Sequence, residues 1–450
     1  MKKLQIISLV LFFTVLLLPI AFFNFESDAI SEIDNRALSG NPFTESEDLT
    51  EGIENYINDR IGFRDEMISS YTIFNDRLFG KMVHPSYIYG EDGYVFGAGV
   101  TTVYYSFSDY HVAFADMVKE VQDYCEARGV PFLFVFEPAK PAVYPDKIAE
   151  GTNYDREWVD LFLAELDERG VNYLDNTVTL QDARDAGIAV FNQKYDANHW
   201  NDNGAFYGTQ AMLERMQELN PNVHVNQLSE FTISSEHQDS LLVSNFPIDE
   251  DVPSYLLKDV KTVEKAEEYS GIYLDEQFQA FSYTVNQNRV DEGSPRTLMF
   301  QGSYMNSYGR KFMMNALGEY ISVHDYQNVL DLPYYFNLFQ PDLVVFEVAE
   351  YTLEDNYFSY EKMQSLDYNP VLSLSDNALL SAALEATDLT IQQTNELTTF
   401  LWETNEAYDY VWAVSGEDVY DMKKVDNGYQ VTLKVEDPEE MADSLQIYVG

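Results

Sequence analysis

The stretch VPFLFVFEP, residues 130–138, limits most strongly what this chain can fold into. A strand with one face in water alternates apolar and polar residues. An unbroken apolar run fits a strand only when both faces are covered. Just before it, DYHVAFADMVKEVQDYCEARG carries apolar residues at helical spacing and ends on Gly129. REWVDLFLAELDERG predicts a second helix ending at Gly170, followed by a short strand at VNYL. NDNGAFYGTQAMLERMQEL predicts a third helix, with Asn201 or Asp202 as its N-cap. Further on, RTLMFQGSYMNSYGRKFMMNALGEY reads as strand, tight turn and helix, and PDLVVFEVAEY as another buried strand. Helices alternating with apolar strands predict an α/β fold: a parallel sheet covered by helices on both faces, three layers in all.

That pattern divides the chain. Residues 101–360 form the α/β domain, interrupted at 222–294 by a Ser-, Asp- and Glu-rich insertion with short strands and a surface helix. Residues 26–100 read as a membrane-proximal stalk with helices, and GEDGYVFG within them as a turn and short strand. Residues 361–450 read as a helical and β-hairpin segment, with a turn at Asn427-Gly428 between alternating runs.

Ahead of all this, Leu4 to Phe25 carry no charge. About 20 apolar residues span a bilayer core as a helix, and no small-x-small cleavage site follows the run. Lys2 and Lys3 precede it and acidic residues follow, which places the N-terminus in the cytoplasm. The expectation for residues 1–25 is an uncleaved signal anchor, a single-pass transmembrane helix that leaves the bulk of the chain outside the cell membrane.

Charge and cysteine content exclude two function classes. With 27 Lys plus Arg against 76 Asp plus Glu, the formal net charge is −49. Such a surface repels nucleic acid over about a Debye length, roughly 8–10 Å at physiological salt. Cys125 is the only cysteine, so no intrachain disulfide staples the fold.

Chemistry concentrates in two short motifs. In KYDANHWND, Asp196 stands three residues before His199; in LMFQGSYMNS, Gly302 permits a sharp turn and Ser303 sits where strand gives way to helix. A nucleophilic hydroxyl needs a base, and the base needs a carboxylate to fix its tautomer. A strand-to-helix elbow exposes such a hydroxyl and aims backbone N–H groups at the carbonyl under attack. Each motif also has an ordinary structural reading, an Asp capping a helix beside a half-buried His, and a Gly-Ser turn. Catalysis draws its support from the occurrence of both at strand ends.

The order of motifs resembles the SGNH-hydrolase-like domains of extracytoplasmic polysaccharide O-acetyltransferases, including those of alginate acetylation, and the related DHHW proteins. The likeness runs through DNRALSGNP, YINDRIGFR, GEDGYVF, FEPAKPAVYPDKI, DANHWNDNGA, QGSY and PDLVVFEVAE, roughly residues 30 to 355. It implies a flavodoxin-like sheet with the Asp/His motif ahead of the serine, a permuted order. It further implies Ser303 as nucleophile, His199 as base, Asp196 as orienting carboxylate, a polysaccharide substrate and no cofactor. By the same resemblance, acetyl groups come through a membrane-bound O-acyltransferase partner. The family usually has D-x-H-W, so Ala197 and Asn198 lengthen the spacing by one residue. The oxyanion asparagine of ordinary SGNH enzymes is missing from 343–350, where Glu347 and Glu350 stand.

Four further residues are candidates for substrate contact. Trp200 and Tyr304 directly follow His199 and Ser303, and Trp200 either stacks on a sugar ring or packs beside the site. Arg310 and Lys140 are scarce cations able to meet an anionic glycan, with ion pairing as the alternative. His84, His111, His224, His237 and His324 show no metal-ligand spacing, and there is no glycine-rich phosphate loop. The rival to an enzyme is a catalytically silent glycan-binding or scaffold protein of a cell-envelope assembly.

Overall fold

The computed structural model describes residues 2–26, 30–31, 36–45, 48–81, 86–99, 106–242, 246–258, 261–276, 278–372, 380–382 and 389–450. His84 and part of the DNRALSGNP motif lie outside them.

Seven strands build the central sheet: β1 (Phe132–Glu137), β2 (Tyr173–Asp175), β3 (Thr262–Glu264), β4 (Phe281–Asn286), β5 (Arg296–Gln301), β6 (Glu319–His324) and β7 (Leu343–Ala349). Their spatial order is β2-β1-β7-β5-β6-β4-β3. The first five in that order are mutually parallel, while β4 runs antiparallel to β6 and β3 antiparallel to β4.

The apolar runs are buried on both faces, as their composition requires. Phe134, Phe346 and Phe300 pair across β1, β7 and β5 by register, or lie one strand apart in it. They face helices α1 (Asp109–Ala127) and α2 (Glu157–Arg169) in one core with Phe114 and Phe162. Alternate residues Leu133, Val345 and Met299 point the other way, into a second core with Trp200, Met212 and Phe312. Helices α3 (Asp202–Leu219) and α4 (Arg310–Ala316) supply that second layer. Truncating a ring such as Phe346 to alanine removes about 3–5 kcal/mol.

Three expectations need correction. Residues 222–294 are more than an insertion: after a long hairpin, Phe231–Ser240 with Pro247–Leu257, they supply β3 and β4 to the central sheet. β4 lies toward the sheet's margin and carries Ser282, Thr284 and Asn286 among its apolar residues, so it lacks the unbroken apolar run that marks the inner strands. Residues 361–450 are not a helical segment with a hairpin. They hold two four-stranded sheets around their own core of Phe400, Trp402, Val431 and Ile447. The hairpin turn there falls at Asp426-Asn427, because Gly428 already pairs with Val425.

This C-terminal module is docked on the α/β domain. Asn337 Nδ2 donates to the Asp421 carbonyl at 2.8 Å, and its Oδ1 accepts the Asp421 N–H at 3.2 Å. Arg128 pairs with the Asp421 carboxylate at 2.8 Å.

The N-terminal apolar stretch is helical over Lys2–Ala21, with Pro19 inside. Among the described residues no helix is long and apolar enough to cross a membrane. The two helices that follow, Leu49–Arg60 and Arg64–Phe79, come against its end, where the Gly62 N–H donates to the Pro19 carbonyl at 2.9 Å.

Candidate active site

β5 ends at Gln301, Gly302 makes the turn, and Ser303 opens the helical stretch beyond. That stretch begins with a π-helical segment, Met305–Gly309, before α4. Such wide turns recur at functional sites because they redirect side chains. Here Tyr308, inside the wide turn, reaches across to Asp196.

Asp196 and His199 sit on the irregular loop before α3, whose first N–H groups are capped by Asn201 Oδ1. Glu250, from the long hairpin, accepts three successive backbone N–H groups of that loop, from Gln193, Lys194 and Tyr195, at 2.6–2.9 Å. Asp196 adopts a left-handed backbone (φ 49°), a conformation that aspartate tolerates better than most residues. The resulting tight turn folds His199 back over it. The lengthened D-x-x-H spacing is thereby accommodated.

The three side chains meet. His199 Nε2 lies 2.9 Å from Ser303 Oγ, and His199 Nδ1 lies 2.9 Å from Asp196 Oδ1. Asp196 Oδ1 also accepts the His199 backbone N–H at 3.1 Å, and Oδ2 accepts the Tyr308 hydroxyl at 2.9 Å. A carboxylate on Nδ1 keeps the proton there and leaves the Nε2 lone pair facing the serine hydroxyl. Burial alone would raise the Asp196 pKa, but the His199 charge and the hydrogen bonds from His199 and Tyr308 outweigh it. Its carboxyl is held below the usual range. Tyr351, just past β7, places its hydroxyl 3.3 Å from Ser303 Oγ. Burial pushes its pKa far up, so it stays a donor.

Residues 88–277 match the family model of the SGNH hydrolase-like domain of acetyltransferase AlgX. Over that segment the chain is similar to the SGNH hydrolase-like domain of this family. The matched segment includes Asp196 and His199 and ends before Ser303. Solved structures resemble the chain distantly. The O-acetyltransferase domain of Pseudomonas putida AlgJ is 15% identical, covers 63% of this chain and 99% of its own, with a TM-score of 0.43. Bacillus cereus PatB1 is 14% identical over 60% and 97%, with a TM-score of 0.46. A DHHW family protein from Eubacterium siraeum is 15% identical over 63% and 97%, with a TM-score of 0.44. No curated protein matches the chain.

Around this site the expected substrate contacts are corrected. Trp200 is fully buried, its indole N–H donates to the Tyr304 carbonyl at 3.1 Å, and its ring fills the space over Gly208. It packs and cannot stack on a sugar. Tyr304 is equally buried, its hydroxyl 3.0 Å from the Pro138 and Asn198 carbonyls. Lys140 is buried too, and its Nζ donates to the Val95 and Gln193 carbonyls rather than to any carboxylate. Burial brings its pKa down to about 7. It ties three segments together away from solvent. Arg310 alone is partly exposed, and it pairs with Glu264 at 3.1 Å.

Sequence reasoning missed Tyr308, Tyr351 and Glu250. Tyr308 lies five residues past Ser303 and reaches Asp196 only through the π-helical turn, which no sequence pattern announces; nothing distinguished Glu250 from the acidic residues around it. Among the described residues no group of His, Cys, Asp and Glu is arranged to hold a metal ion.

Proposed function

We propose that this protein is a membrane-anchored, extracytoplasmic O-acyltransferase or esterase that acts on a cell-envelope or exported polysaccharide through Ser303, His199 and Asp196. The observation that carries the reading is the line of contacts from Asp196 through His199 to Ser303 Oγ, 2.9 Å at each step. His199 Nε2 takes the hydroxyl proton as Oγ attacks the acyl carbonyl. The Ser303 N–H, at a helix start with no intrahelical partner, and the Tyr351 hydroxyl are the donors nearest the developing oxyanion. Collapse expels the donor's alkoxide, which takes the proton back from His199. The acyl-serine is then attacked by a sugar hydroxyl, or by water in the esterase reaction, with His199 again acting as base.

The charge-free run from Leu4 to Phe25 supports the membrane anchor, and the family match supports acetyl as the acyl group. A membrane-bound O-acyltransferase is the partner expected to deliver the acetyl group. Cleavage of p-nitrophenyl acetate by the detergent-extracted full chain tests the reading. Ser303→Ala should lower the rate by about 10³-fold or more while leaving the thermal midpoint near wild type, because the nucleophile is lost without disturbing packing. A folded wild type no faster than this variant, on esters and on acetylated polysaccharide alike, would leave the silent glycan-binding protein as the better account.

A further inference from the structure

Beneath the Ser303 elbow lie three carboxyl groups that the proposed mechanism does not use. Glu137 ends β1, Glu347 stands in β7, and Asp325 directly follows β6; all three are fully buried. β5, which carries the elbow, lies between β7 and β6, so the carboxyls approach Gly302 from both sides. Glu347 Oε2 accepts the Gly302 N–H at 2.7 Å. A Cβ on Gly302 would stand 3.5 Å from Asp325 Oδ2 and 3.7 Å from Glu347 Oε2. Glu347 Oε1 and Glu137 Oε2 have no hydrogen-bond partner. Asp325 Oδ1 lies 3.1 Å from His324 Nδ1, a ring able to become a cation beside Asp325 rather than beside Glu347.

We infer that Glu347 is a positioning residue for Ser303: it fixes the Gly302 peptide, and must be uncharged to do so without opposing the oxyanion. This inference rests on the reading of Ser303 as nucleophile. A buried carboxylate with one oxygen unpartnered and no cation beside it is far costlier than the neutral acid. The groups facing Glu347 are Glu137 from β1, Asp325 after β6, Tyr320 in β6, Tyr326 beyond it, and Tyr351 after β7. None of them is a cation. Burial first, then Glu137 and Asp325, push the Glu347 pKa far above the usual carboxylate range. Below that raised pKa the acid is neutral and accepts the Gly302 N–H. Above it, a negative charge lies one peptide away from the Ser303 N–H that stabilises the oxyanion, and the rate falls. A plain Ser–His pair gives no such fall once the histidine is neutral.

The test is the pH profile of kcat for p-nitrophenyl acetate, with full-length wild type, Glu347→Gln and Glu347→Ala. The Gln variant keeps an acceptor for Gly302 and cannot ionise. It should stay within about threefold of wild type at neutral pH and lose the alkaline decline, whereas Glu347→Ala should fall about tenfold or more at every pH with KM little changed. Glu137→Gln should retain the decline but move it to lower pH, since one like charge is gone. An alkaline decline that persists unchanged in Glu347→Gln would overturn the inference while leaving the nucleophile reading intact. Infrared spectra provide a readout that does not need activity. At neutral pH the folded wild type should show the C=O band of a protonated carboxylic acid, diminished in Glu347→Gln. An undiminished band would overturn the inference even if no ester were cleaved; absence of cleavage with a diminished band would count against the nucleophile reading alone.

Discussion

The carboxyl groups above Ser303 and those below it are the same chemistry in opposite states. On the rim, Asp196 is as buried as a core residue, yet both its oxygens are occupied, by His199 and Tyr308. Its carboxyl is held ionised. On the floor, Glu137, Glu347 and Asp325 are equally buried, and each keeps at least one oxygen without a partner. Burial lifts the pKa of all three. Burial is common to both sets, so what separates them is the supply of donors. The rim is served by the His199 N–H and ring on a loop and by the Tyr308 hydroxyl from the π-helical segment, while the floor is made by strand ends whose N–H groups are largely committed to the sheet. The result is one acid held ionised and a floor of acids whose pKa values are raised around a single hydroxyl, which suits a site that needs an imidazolium stabilised on one side and an oxyanion left unopposed on the other.

If the rim works as proposed, its removal has the largest effects. His199→Ala should reduce ester cleavage nearly as far as Ser303→Ala, about 10³-fold or more, because base and nucleophile act as a unit. Asp196→Asn should lose less, about 10²–10³-fold, by favouring the wrong tautomer at Nδ1. Steady-state kinetics on the three variants check this. An Asp196→Asn variant as fast as wild type would mean that Tyr308 and the loop hold His199 without the carboxylate.

Glu137, on the floor but not bonded to the elbow, should show its main effect in stability. Glu137 titrates near 8 in the folded chain against an ordinary 4.5. Since the folded value is the higher one, the folded state retains the proton longer. Stability is then full below the ordinary value and declines as pH rises toward 8. Glu137→Gln keeps an acceptor for Asn176 Nδ2 and removes that decline, so the variant should be more stable than wild type at pH 8 by roughly 1–3 kcal/mol. Denaturant melts at acid and mildly alkaline pH read the difference. Equal slopes of stability against pH would show that Glu137 finds a donor and belongs with the rim.

This contrast also marks how far the sequence could be read. Inner strands such as FLFVFE and LVVFEVA announce themselves, because being covered on both faces demands an unbroken apolar run. The elbow at Gly302-Ser303 and the Asp196–His199 pair were legible because a hydroxyl, an imidazole and a carboxylate limit one another, although only the serine follows a strand; Asp196 and His199 lie on a loop between the helices Thr177–Asp185 and Asp202–Leu219. β4 and the C-terminal sheets were not, because their strands spread apolar residues among polar ones. Chemistry alone leaves Trp200 open between stacking and packing, and Lys140 between a glycan and an ion pair. A ring and a cation near a site look like ligands until the backbone folds over them. The floor was half visible, as Glu347 in place of an expected asparagine, but its proximity to Glu137 and Asp325 depends on strand order, which no local pattern carries.

The smallest expected effect tests whether the floor is truly without a cation. Arg310 is the nearest candidate, since its charge is felt by Tyr320, which lies against Glu347. Yet its guanidinium points to the sheet margin, where Nη2 pairs with Glu264 at 3.1 Å and approaches Thr284 Oγ1 at 3.4 Å. Both partners of the ion pair are more than a third exposed, so water screens it, and exposed pairs are worth about 0–1 kcal/mol. Arg310→Ala should therefore cost no more than about 1 kcal/mol and leave cleavage of a neutral ester within about twofold of wild type. The slope of stability against pH should also be unchanged, because no floor carboxylate depends on this charge. A variant that lost the alkaline decline would show Arg310 reaching the floor after all. A variant impaired only toward an anionic polysaccharide would instead return Arg310 to the substrate path, with Glu264 as the carboxylate it leaves on binding.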